Sequence, residues 1–538
     1  MALSSGAFAT VPFLHGCGAS AAAVAVPEPE LPPPAQEPGP FPNPFLHGVA
    51  SGDPLPDRVI FWTRVTVPVG AAGIPVRLQV YRDPQLSERV ATATAQATAE
   101  RDYTVKIDQD GLAPATTYYY QFEARGHRSV VGRTRTAPAG MVERLRVGVV
   151  SCSSLAHGLF NAYRTLAART DLDVVLHLGD YIYEYGNGEY GSFREYDPPT
   201  EIITLADYRT RYAQYRSDPD LQEAHRQHPW IVVWDDHEST NNSYRDGAEN
   251  HTEGVEGEWP LRKAFSQRVY DEWMPIRYPE PGNLNRIWRH YVYGDLAEFV
   301  MLDTRLFDRD LQGSIASNDD LRDPNRKMLG PEQLSFLHTR LQSSPVRWKV
   351  VGQQVMFGQF KLAGAPEAAG GGVYFNSDQW DGYQAERLGL LDFIRDNAVH
   401  NAVILTGDIH SSWAMDLTPD PNDPARYNPL TGEGSRAVEF VCPSVTSPGF
   451  EQVPGFSNAD ESVLVPNPHL KYFDGTRRGY LLLDITPERL QGEWYYVDTV
   501  SEPSTTERFG AAWKVDDGAA RVVRGTPSEA AAGAPLAP

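Results

Sequence analysis

Four short segments of the 538-residue sequence combine side chains that could bind metal ions. They contain a thiol, a phenol, two imidazoles and several carboxylates, which all occur as metal ligands in proteins. The residues concerned are Cys152, Asp180, Tyr183, Asp235, Asp236, His237, Asp408 and His410. Burying so many ionisable groups at one place is costly unless cations or charged partners compensate them. If these segments meet in the fold, the residue types predict a metal centre.

Each of these segments follows a short apolar run that predicts a buried β-strand. The runs VGVV, VVLHL, WIVVW and AVILT precede Cys152, Asp180, Asp235 and Asp408 in turn, and EFVML, WKVVG, VEFV and YLLLDI are similar. Near-continuous apolar strands are typical of sheets that are covered on both faces. Ligands of open α/β folds bind at the carboxyl ends of strands, so we expect the reactive side chains to converge in one crevice.

The order of strand-like and helical stretches indicates an α/β domain at residues 146–515. Within it, the amphipathic stretch 158–169 separates the first two apolar runs and predicts a βαβ unit. Residues 45–138 instead show short alternating runs with turns between them, which predicts a β-sandwich, and GLAPATTYYYQF resembles the tyrosine corner of fibronectin type III domains. The Ala-, Pro- and Gly-rich residues 516–538 are predicted to be a disordered tail.

The N-terminal residues resemble an export signal. Residues 1–25 are small, apolar and uncharged, and they include Cys17 in a setting that resembles a lipoprotein cysteine. Residues 26–44 are rich in proline and predict an extended linker. These features predict an exported protein, periplasmic or extracellular, with a lipidated Cys17 as a candidate membrane tether. The alternative is a disordered start without an export role.

Composition excludes several classes of function. The chain has 48 Lys and Arg against 70 Asp and Glu, a formal net charge of −22, which disfavours a nucleic-acid-binding module. Three cysteines are too few for a disulfide framework in a chain of this length. The length predicts at least two folding units, and we expect a monomer.

The motifs together resemble those of a known enzyme superfamily. The GDxxY segment at 179–183, WDDHE at 234–238 and GDIH at 407–410 resemble the ordered motifs of the calcineurin-like metallophosphoesterases, and GDxxY resembles purple acid phosphatases. Cys152, the Asp235-Asp236 pair and Asp408 depart from the purple acid pattern. With HGVASGDP at 47–54, these departures resemble the PhoD-like alkaline phosphatase family over about residues 45–500.

This resemblance implies a fold and a set of cofactors. The implied fold is α/β, with a metallophosphoesterase-type β-sandwich core covered by helices and preceded by a small fibronectin-III-like all-β domain. The implied ions are Fe3+ and Ca2+. Carried over by position, the iron ligands are Cys152, Asp180, Tyr183 and His410, with Asp180 bridging, and the calcium ligands are Asp236 and Asp408, with Asp235 and Asn242 as further candidates. The known preferences of the two ions support this assignment, since thiolate, phenolate and imidazole suit iron and carboxylate oxygens suit calcium.

The resemblance implies a metal-dependent phosphoric ester hydrolase of the alkaline phosphatase D type. A metal-activated hydroxide or oxo group would attack the phosphate in line. We expect His237 either to donate a proton or hydrogen bond to the leaving group or to orient Asp236. Arg305, which ends the run MLDTR, is expected either to clamp phosphate or to pair only with Asp303.

Two alternative functions are also compatible with these residues. The same centre could serve a phosphodiesterase or phospholipase D-like activity, because loops such as 249–259 set the width of the pocket. The substrates would then be small-molecule phosphate diesters as well as monoesters. The other alternative is a non-catalytic tethered surface-binding protein with structural metals. It is disfavoured because a structural site is closed and needs few ligands, whereas the candidates here are many.

Overall fold

The computed structural model describes residues 42–68, 70–453 and 460–538. Within these ranges the chain forms β-strands and short or medium-length α-helices. The strands are β1 Val49–Gly52, β2 Val59–Arg64, β3 Ile74–Tyr81, β4 Arg89–Ala97, β5 Thr104–Gln109, β6 Thr117–Ala124, β7 His127–Arg128, β8 Gly132–Arg135, β9 Leu145–Val150, β10 Val174–His177, β11 Pro229–Val232, β12 Arg289–Tyr293, β13 Ala297–Met301, β14 Trp348–Gly352, β15 Lys361–Gly364, β16 Gly372–Tyr374, β17 Ala402–Thr406, β18 Ser412–Leu417, β19 Ala437–Val441, β20 Leu470–Asp474, β21 Gly479–Ile485, β22 Arg489–Val497, β23 Glu507–Asp516 and β24 Val523–Arg524. The helices are α1 Asn161–Ala167, α2 Leu205–Tyr215, α3 Pro219–Gln227, α4 Trp259–Trp273, α5 Asn318–Leu321, α6 Gly330–Ser343, α7 Gln384–Asp396 and α8 Asp460–Leu464.

Two large mixed sheets organise the fold. The first has the order β24-β23-β22-β21-β9-β10-β11-β1-β2-β5, and the second has the order β12-β13-β14-β17-β19-β18-β20. The eight apolar runs of the sequence all form strands, namely β9, β10, β11, β13, β14, β17, β19 and β21. β9 and β10 pair in parallel with α1 between them, which confirms the predicted βαβ unit.

The two sheets pack face to face. One apolar cluster contains Val149 and Ile231 of the first sheet together with Phe299 and Leu405 of the second, and all four are fully buried. A second cluster joins the other face of the first sheet to helices α1 to α4, and a third joins the second sheet to α6 and α7. The apolar strands are therefore covered on both faces, as their composition predicts.

The N-terminal region is continuous with the first large sheet. Its short runs form strands, and β3, β4, β6, β7 and β8 make a separate small sheet. That sheet shares an apolar cluster with β1, β2 and β5, whose residues Val59, Phe61 and Val105 are buried in it. β1 also pairs in parallel with β11, so this region extends the sheet that carries the strand-end motifs.

The prediction of a disordered tail at 516–538 is wrong. β24 pairs with β23, and the chain then runs back over the molecule. Tyr119 donates a hydrogen bond to the Pro535 carbonyl at 2.6 Å, and Gln227 accepts one from the Ala537 amide at 2.8 Å. Small residues allow this segment to lie close to the surface, where its backbone groups find partners. Composition alone does not reveal such partners, because they lie hundreds of residues away in the sequence.

The predicted leader at 1–25, with Cys17, lies outside the described residues, as does most of the predicted linker at 26–44. Among the helices that are described, none is long and apolar enough to cross a lipid bilayer.

Candidate metal centre

The ends of parallel strands bring the candidate ligands together. β9, β10 and β11 are neighbours in the first sheet, so the residues that follow them meet at one edge. Five of the ligand candidates have left-handed backbone, with φ of 60° at Cys152, 56° at Asp180, 50° at Asn242, 60° at Asp408 and 54° at His410. Such backbone costs on the order of 1–3 kcal/mol at a non-glycine residue and concentrates at functional sites. The local strain thus coincides with the predicted chemistry.

A thiol, a phenol, an imidazole and a carboxylate form the first group of ligands. One ligand atom each from Cys152, Asp180 and His410 lies within 4.8 Å of the others. The Tyr183 hydroxyl donates a hydrogen bond to Asp180 Oδ2 at 2.9 Å and lies 3.3 Å from His410 Nε2. Ser447 in turn donates to the Tyr183 hydroxyl at 2.7 Å. The four predicted iron ligands are therefore neighbours in space.

The hydrogen bonding of His410 leaves one ring nitrogen available. Its Nδ1 atom donates to the Pro448 carbonyl at 2.8 Å, so Nε2 carries the free lone pair in the neutral ring. Burial lowers the pKa of His410 to about 3, which keeps the imidazole neutral. A backbone acceptor on the other nitrogen is the arrangement that metal-binding histidines commonly have.

Carboxylates form the second group. Ligand oxygens of Asp235, Asp236 and Asp408 lie within 4.8 Å of one another. The backbone N–H of Asn242 donates to Asp236 Oδ2 at 2.7 Å, and its side-chain amide donates to Glu249. Asn242 also lines a cavity that lies beside these carboxylates. A further group joins Asp180 and Asp236 to His237, so the two sets of ligands are continuous.

Arg305 lies among the carboxylates. Its guanidinium contacts Asp235 at 2.5 Å, Asp378 at 2.6 Å and Asp408 at 2.8 Å, and Asp236 at 3.5 Å. Arg305 is fully buried, and it does not line the cavity beside these carboxylates. The expected pairing with the side chain of Asp303 alone is wrong, because that carboxylate accepts the backbone N–H groups of Arg305 and Leu306 instead.

His237 is held by an acid that the sequence reasoning missed. Its Nδ1 atom donates to Glu184 Oε2 at 2.6 Å, and only its backbone N–H contacts the carboxylate of Asp236, at 3.0 Å. Burial by itself lowers the pKa of His237, but the charges of Glu184, Asp236 and Asp180 raise this pKa well above its usual value. The ring also packs on Tyr183, with centroids 4.2 Å apart.

The raised pKa values and the unpartnered carboxylate oxygens of the site both favour the binding of cations. Burial raises the pKa of Cys152, Asp180 and Asp235 well above the usual values, and it raises that of Asp408 to about 6. Asp180 Oδ1 and Asp235 Oδ2 are buried and have no hydrogen-bond partner. Oxygen, nitrogen and sulfur ligands with unpartnered carboxylate atoms fit metal ions, whose binding would displace the protons.

Two more acids near the centre were not predicted. Glu238 accepts hydrogen bonds from the backbone N–H groups of Tyr181 at 2.7 Å and Asp235 at 2.8 Å, which ties two strand-end loops together. It belongs to the WDDHE segment, so its motif was a usable signal. Asp378 contacts Arg305 and Arg309 and lines the cavity. No strand or spacing pattern in NSDQW marks it.

A cavity of about 270 Å³ opens onto both ligand groups. Asp180, Asp236, His237, Asp408 and His410 line it, whereas Cys152, Tyr183 and Asp235 lie behind its wall. A larger surface cavity of about 550 Å³, near Asp295 and Asp517, contains none of these side chains. Members of both candidate ligand groups therefore face the cavity of about 270 Å³.

Comparisons with known proteins identify the family of the chain. A sequence model of the family described as PhoD-like phosphatase matches residues 147–494, and one of the PhoD-like phosphatase N-terminal domain matches residues 33–138. Alkaline phosphatase D of Bacillus subtilis (strain 168) is 38% identical over 483 residues, covering 86% of this chain and 79% of that protein. A solved structure described as "Structure of PhoD" has a TM-score of 0.81 and 35% identity, and covers 92% of this chain and 95% of that chain. The predicted family and reaction class are thus confirmed: the chain is a phosphoric ester hydrolase and belongs to the PhoD-like phosphatase family.

Proposed function

We propose that this hydrolase cleaves small phosphate monoesters or diesters at a centre that holds Fe3+ and Ca2+. The observation that carries the proposal is the convergence of two chemically different ligand groups on one cavity. When bound, the ions would neutralise phosphate oxygens and activate the attacking water. The cavity volume of about 270 Å³ lies near the lower end of the range of about 300–1,000 Å³ that is typical of ligand pockets, which is compatible with a small ester.

We assign each ion to the ligands whose chemistry it prefers. Iron would bind the thiolate of Cys152, the phenolate of Tyr183, His410 and Asp180, which faces both groups. Calcium would take oxygens from Asp236 and Asp408, with Asp235 and Asn242 as further donors. Soft and nitrogen ligands select iron over calcium, and flexible oxygen ligands select calcium.

His237 is the residue that we propose to act on the leaving group. Glu184 accepts a hydrogen bond from Nδ1, and its charge helps to keep the ring in the imidazolium form, whose Nε2–H can donate a hydrogen bond or proton to an ester oxygen in the cavity. Arg305 is better suited to a positioning role than to the expected phosphate clamp, because its donors already contact four carboxylates.

Finer details of the fold and of export belong to the same proposal. Two facing sheets with helices outside support a metallophosphoesterase-type core at 146–515. The small sheet that packs on β1, β2 and β5 supports a fibronectin-III-like module at 45–138. Export to the periplasm or cell exterior, with Cys17 as a lipid anchor, rests on the composition of residues 1–25. The non-catalytic surface-binding alternative gains no support from a chain of a hydrolase family.

Metal analysis with matched cysteine variants tests the proposal. Natively purified protein should contain iron and calcium, should lose phosphatase activity after chelation with its circular dichroism unchanged, and should recover activity when calcium is restored. Cys152→Ser should lose the iron, whereas Cys442→Ser should keep it, because Cys442 is the other buried thiol among the described residues but is absent from the ligand groups. Full activity in metal-free protein would refute the metal assignment.

A further inference from the structure

We propose that aromatic and apolar side chains beside the metal ligands form a subsite for an uncharged, preferentially aromatic, alcohol part of the ester. This inference rests on the proposed function, since the phosphate must bind at the ligand groups for its alcohol part to reach the subsite. The kind of alcohol that the substrate carries is inferred from the residues of the cavity wall, not from the candidate metal ligands.

Two tyrosines form one part of this wall. The Tyr190 ring stacks on Tyr183, with centroids 5.5 Å apart and an interplanar angle of 20°, and it is nearly parallel to the ring of His237. Tyr185 lies 5.0 Å from Tyr190 and 5.4 Å from His237, between ring centroids. Both tyrosines line the cavity. A ring that binds beside His237 would thus meet aromatic faces and edges that packing already holds in place.

Phe375 and Phe450 form a second part of the wall. Their rings stack with centroids 5.7 Å apart, and both line the cavity together with Ile409 and Val453. Phe450 is 3% exposed and packs on Trp413. Phe375 is only partly buried, so part of its surface is exposed to solvent.

Chain connectivity places this apolar surface next to the ligands. Ile409 lies between Asp408 and His410, and the Pro448 carbonyl that holds His410 is two residues before Phe450. An ester whose phosphate binds the ions at Asp408 and His410 would therefore have this wall within reach of its alcohol part.

The charge of the wall argues against a second anionic group on the substrate. Among the cavity-lining residues that the structure describes, none is Lys or Arg, and four are aspartates. The remaining polar side chains include the amides of Asn241, Asn376 and Gln379. Along the apolar wall, away from His237 and from the ions that would bind the phosphate, an anionic substituent would be desolvated without a cationic partner, which is unfavourable. Burial of an uncharged ring is favourable.

Steady-state kinetics with three esters test the subsite on the metal-loaded protein. Benzyl phosphate and ethyl phosphate have similarly basic leaving alcohols but differ in the ring, and 4-carboxybenzyl phosphate adds one negative charge. We expect kcat/KM for benzyl phosphate to exceed both others by about 10-fold, the factor that corresponds to about 1.4 kcal/mol of ring burial and stacking.

Variants of Phe375 test whether its ring accounts for the preference for benzyl phosphate. Phe375→Ala should lower kcat/KM for benzyl phosphate about 10-fold, mainly through KM, and should leave ethyl phosphate and inhibition by inorganic phosphate within about twofold. Phe375→Leu, which keeps most of the volume, should give a smaller loss. Phe509→Ala, at a phenylalanine that is 40% exposed and absent from the cavity lining, should change nothing.

The results that would contradict the subsite differ from those that would contradict the proposed function. Equal kcat/KM for benzyl and ethyl phosphate, or equal losses for both esters in Phe375→Ala and Phe375→Leu, would overturn the subsite and leave the proposed function intact. Preference for the carboxybenzyl ester would also overturn it. Failure of the loaded protein to hydrolyse any of the three esters would overturn the monoester part of the proposed function, and the subsite with it.

Discussion

The Nδ1 atom of His237 lies 2.6 Å from Oε2 of Glu184, and both side chains are buried. The other carboxylate oxygen of Glu184 accepts the backbone N–H of Asn241 at 2.7 Å, so the acid itself is held in position. The orientation of the imidazole over the cavity is therefore set by a residue that does not face the substrate.

Glu184→Gln should impair turnover more than substrate binding. A glutamine holds the ring less firmly and lacks the charge that stabilises the imidazolium, so kcat should fall about 10- to 100-fold. KM for benzyl phosphate should change less than about threefold. Steady-state kinetics and thermal unfolding check this, with Glu195→Gln, at an exposed glutamate, as the matched control. A loss confined to KM, or one that only follows a lower Tm, would contradict the positioning role.

Tyr183→Phe should remove or shift a visible absorption band of the natively purified protein. The hydroxyl of Tyr183 lies within hydrogen-bond distance of Asp180 and His410, which places it to ligate iron as phenolate. The matched control is Tyr181→Phe, whose hydroxyl contacts His225 instead, 3.0 Å from its Nε2 atom, and this variant should keep the band. The iron assignment fails if the protein is colourless, contains no iron and is fully active.

Arg305→Met should destabilise the protein most strongly when metals are removed. The substitution removes the shared cationic partner of Asp235, Asp236 and Asp408, whereas Asp378 keeps Arg309, and this should cost about 3–5 kcal/mol in the free energy of unfolding. Urea unfolding in chelator measures this cost, and added calcium should restore more stability to the variant than to the wild type.

The control for that experiment is Arg347→Met. Arg347 pairs with Asp517 at 2.6 Å, but both side chains are at least 40% exposed, and exposed pairs contribute little. Equal stability changes for the two variants, or a calcium effect of the same size in wild type and Arg305→Met, would show that Arg305 does not compensate the cluster.

His228 should make folding stability fall under mildly acidic conditions. Burial, helped by the charge of Arg133, lowers its pKa to about 3 from a usual value of 6.5. Between these values the unfolded chain binds one more proton than the folded one, so the unfolding free energy falls with decreasing pH by up to about 1.4 kcal/mol per pH unit.

His228→Gln removes this titration and keeps a donor for the Leu166 carbonyl, which His228 Nε2 contacts at 3.2 Å. Urea unfolding at several pH values below about 6.5 should therefore give a shallower pH dependence for this variant than for the wild type. His400→Gln, at an exposed histidine, should follow the wild type. Parallel curves for His228→Gln and the wild type would rule out the assignment.

Local sequence patterns were sufficient to predict many of the strands and the convergence of the candidate ligands. The runs before Cys152, Asp180 and Asp235 become β9, β10 and β11, whose ends meet because they are parallel neighbours. Asp408 and His410 follow β17 in the other sheet, and their motif order and spacing were enough to place them in the same site. Composition failed at 516–538, where small residues suggest disorder but long-range hydrogen bonds order the chain.

The sequence by itself determined where the strands lie, which ligand types end them and which enzyme family the chain resembles. These properties depend on hydrophobic periodicity and motif spacing, which are local. Only the tertiary structure decided that Glu184 holds His237, that Asp378 and three other aspartates surround Arg305, and that Phe375 reaches the cavity wall. Such pairings depend on the three-dimensional packing of segments from different sheets and loops, and no short-range pattern encodes which distant side chains come into contact.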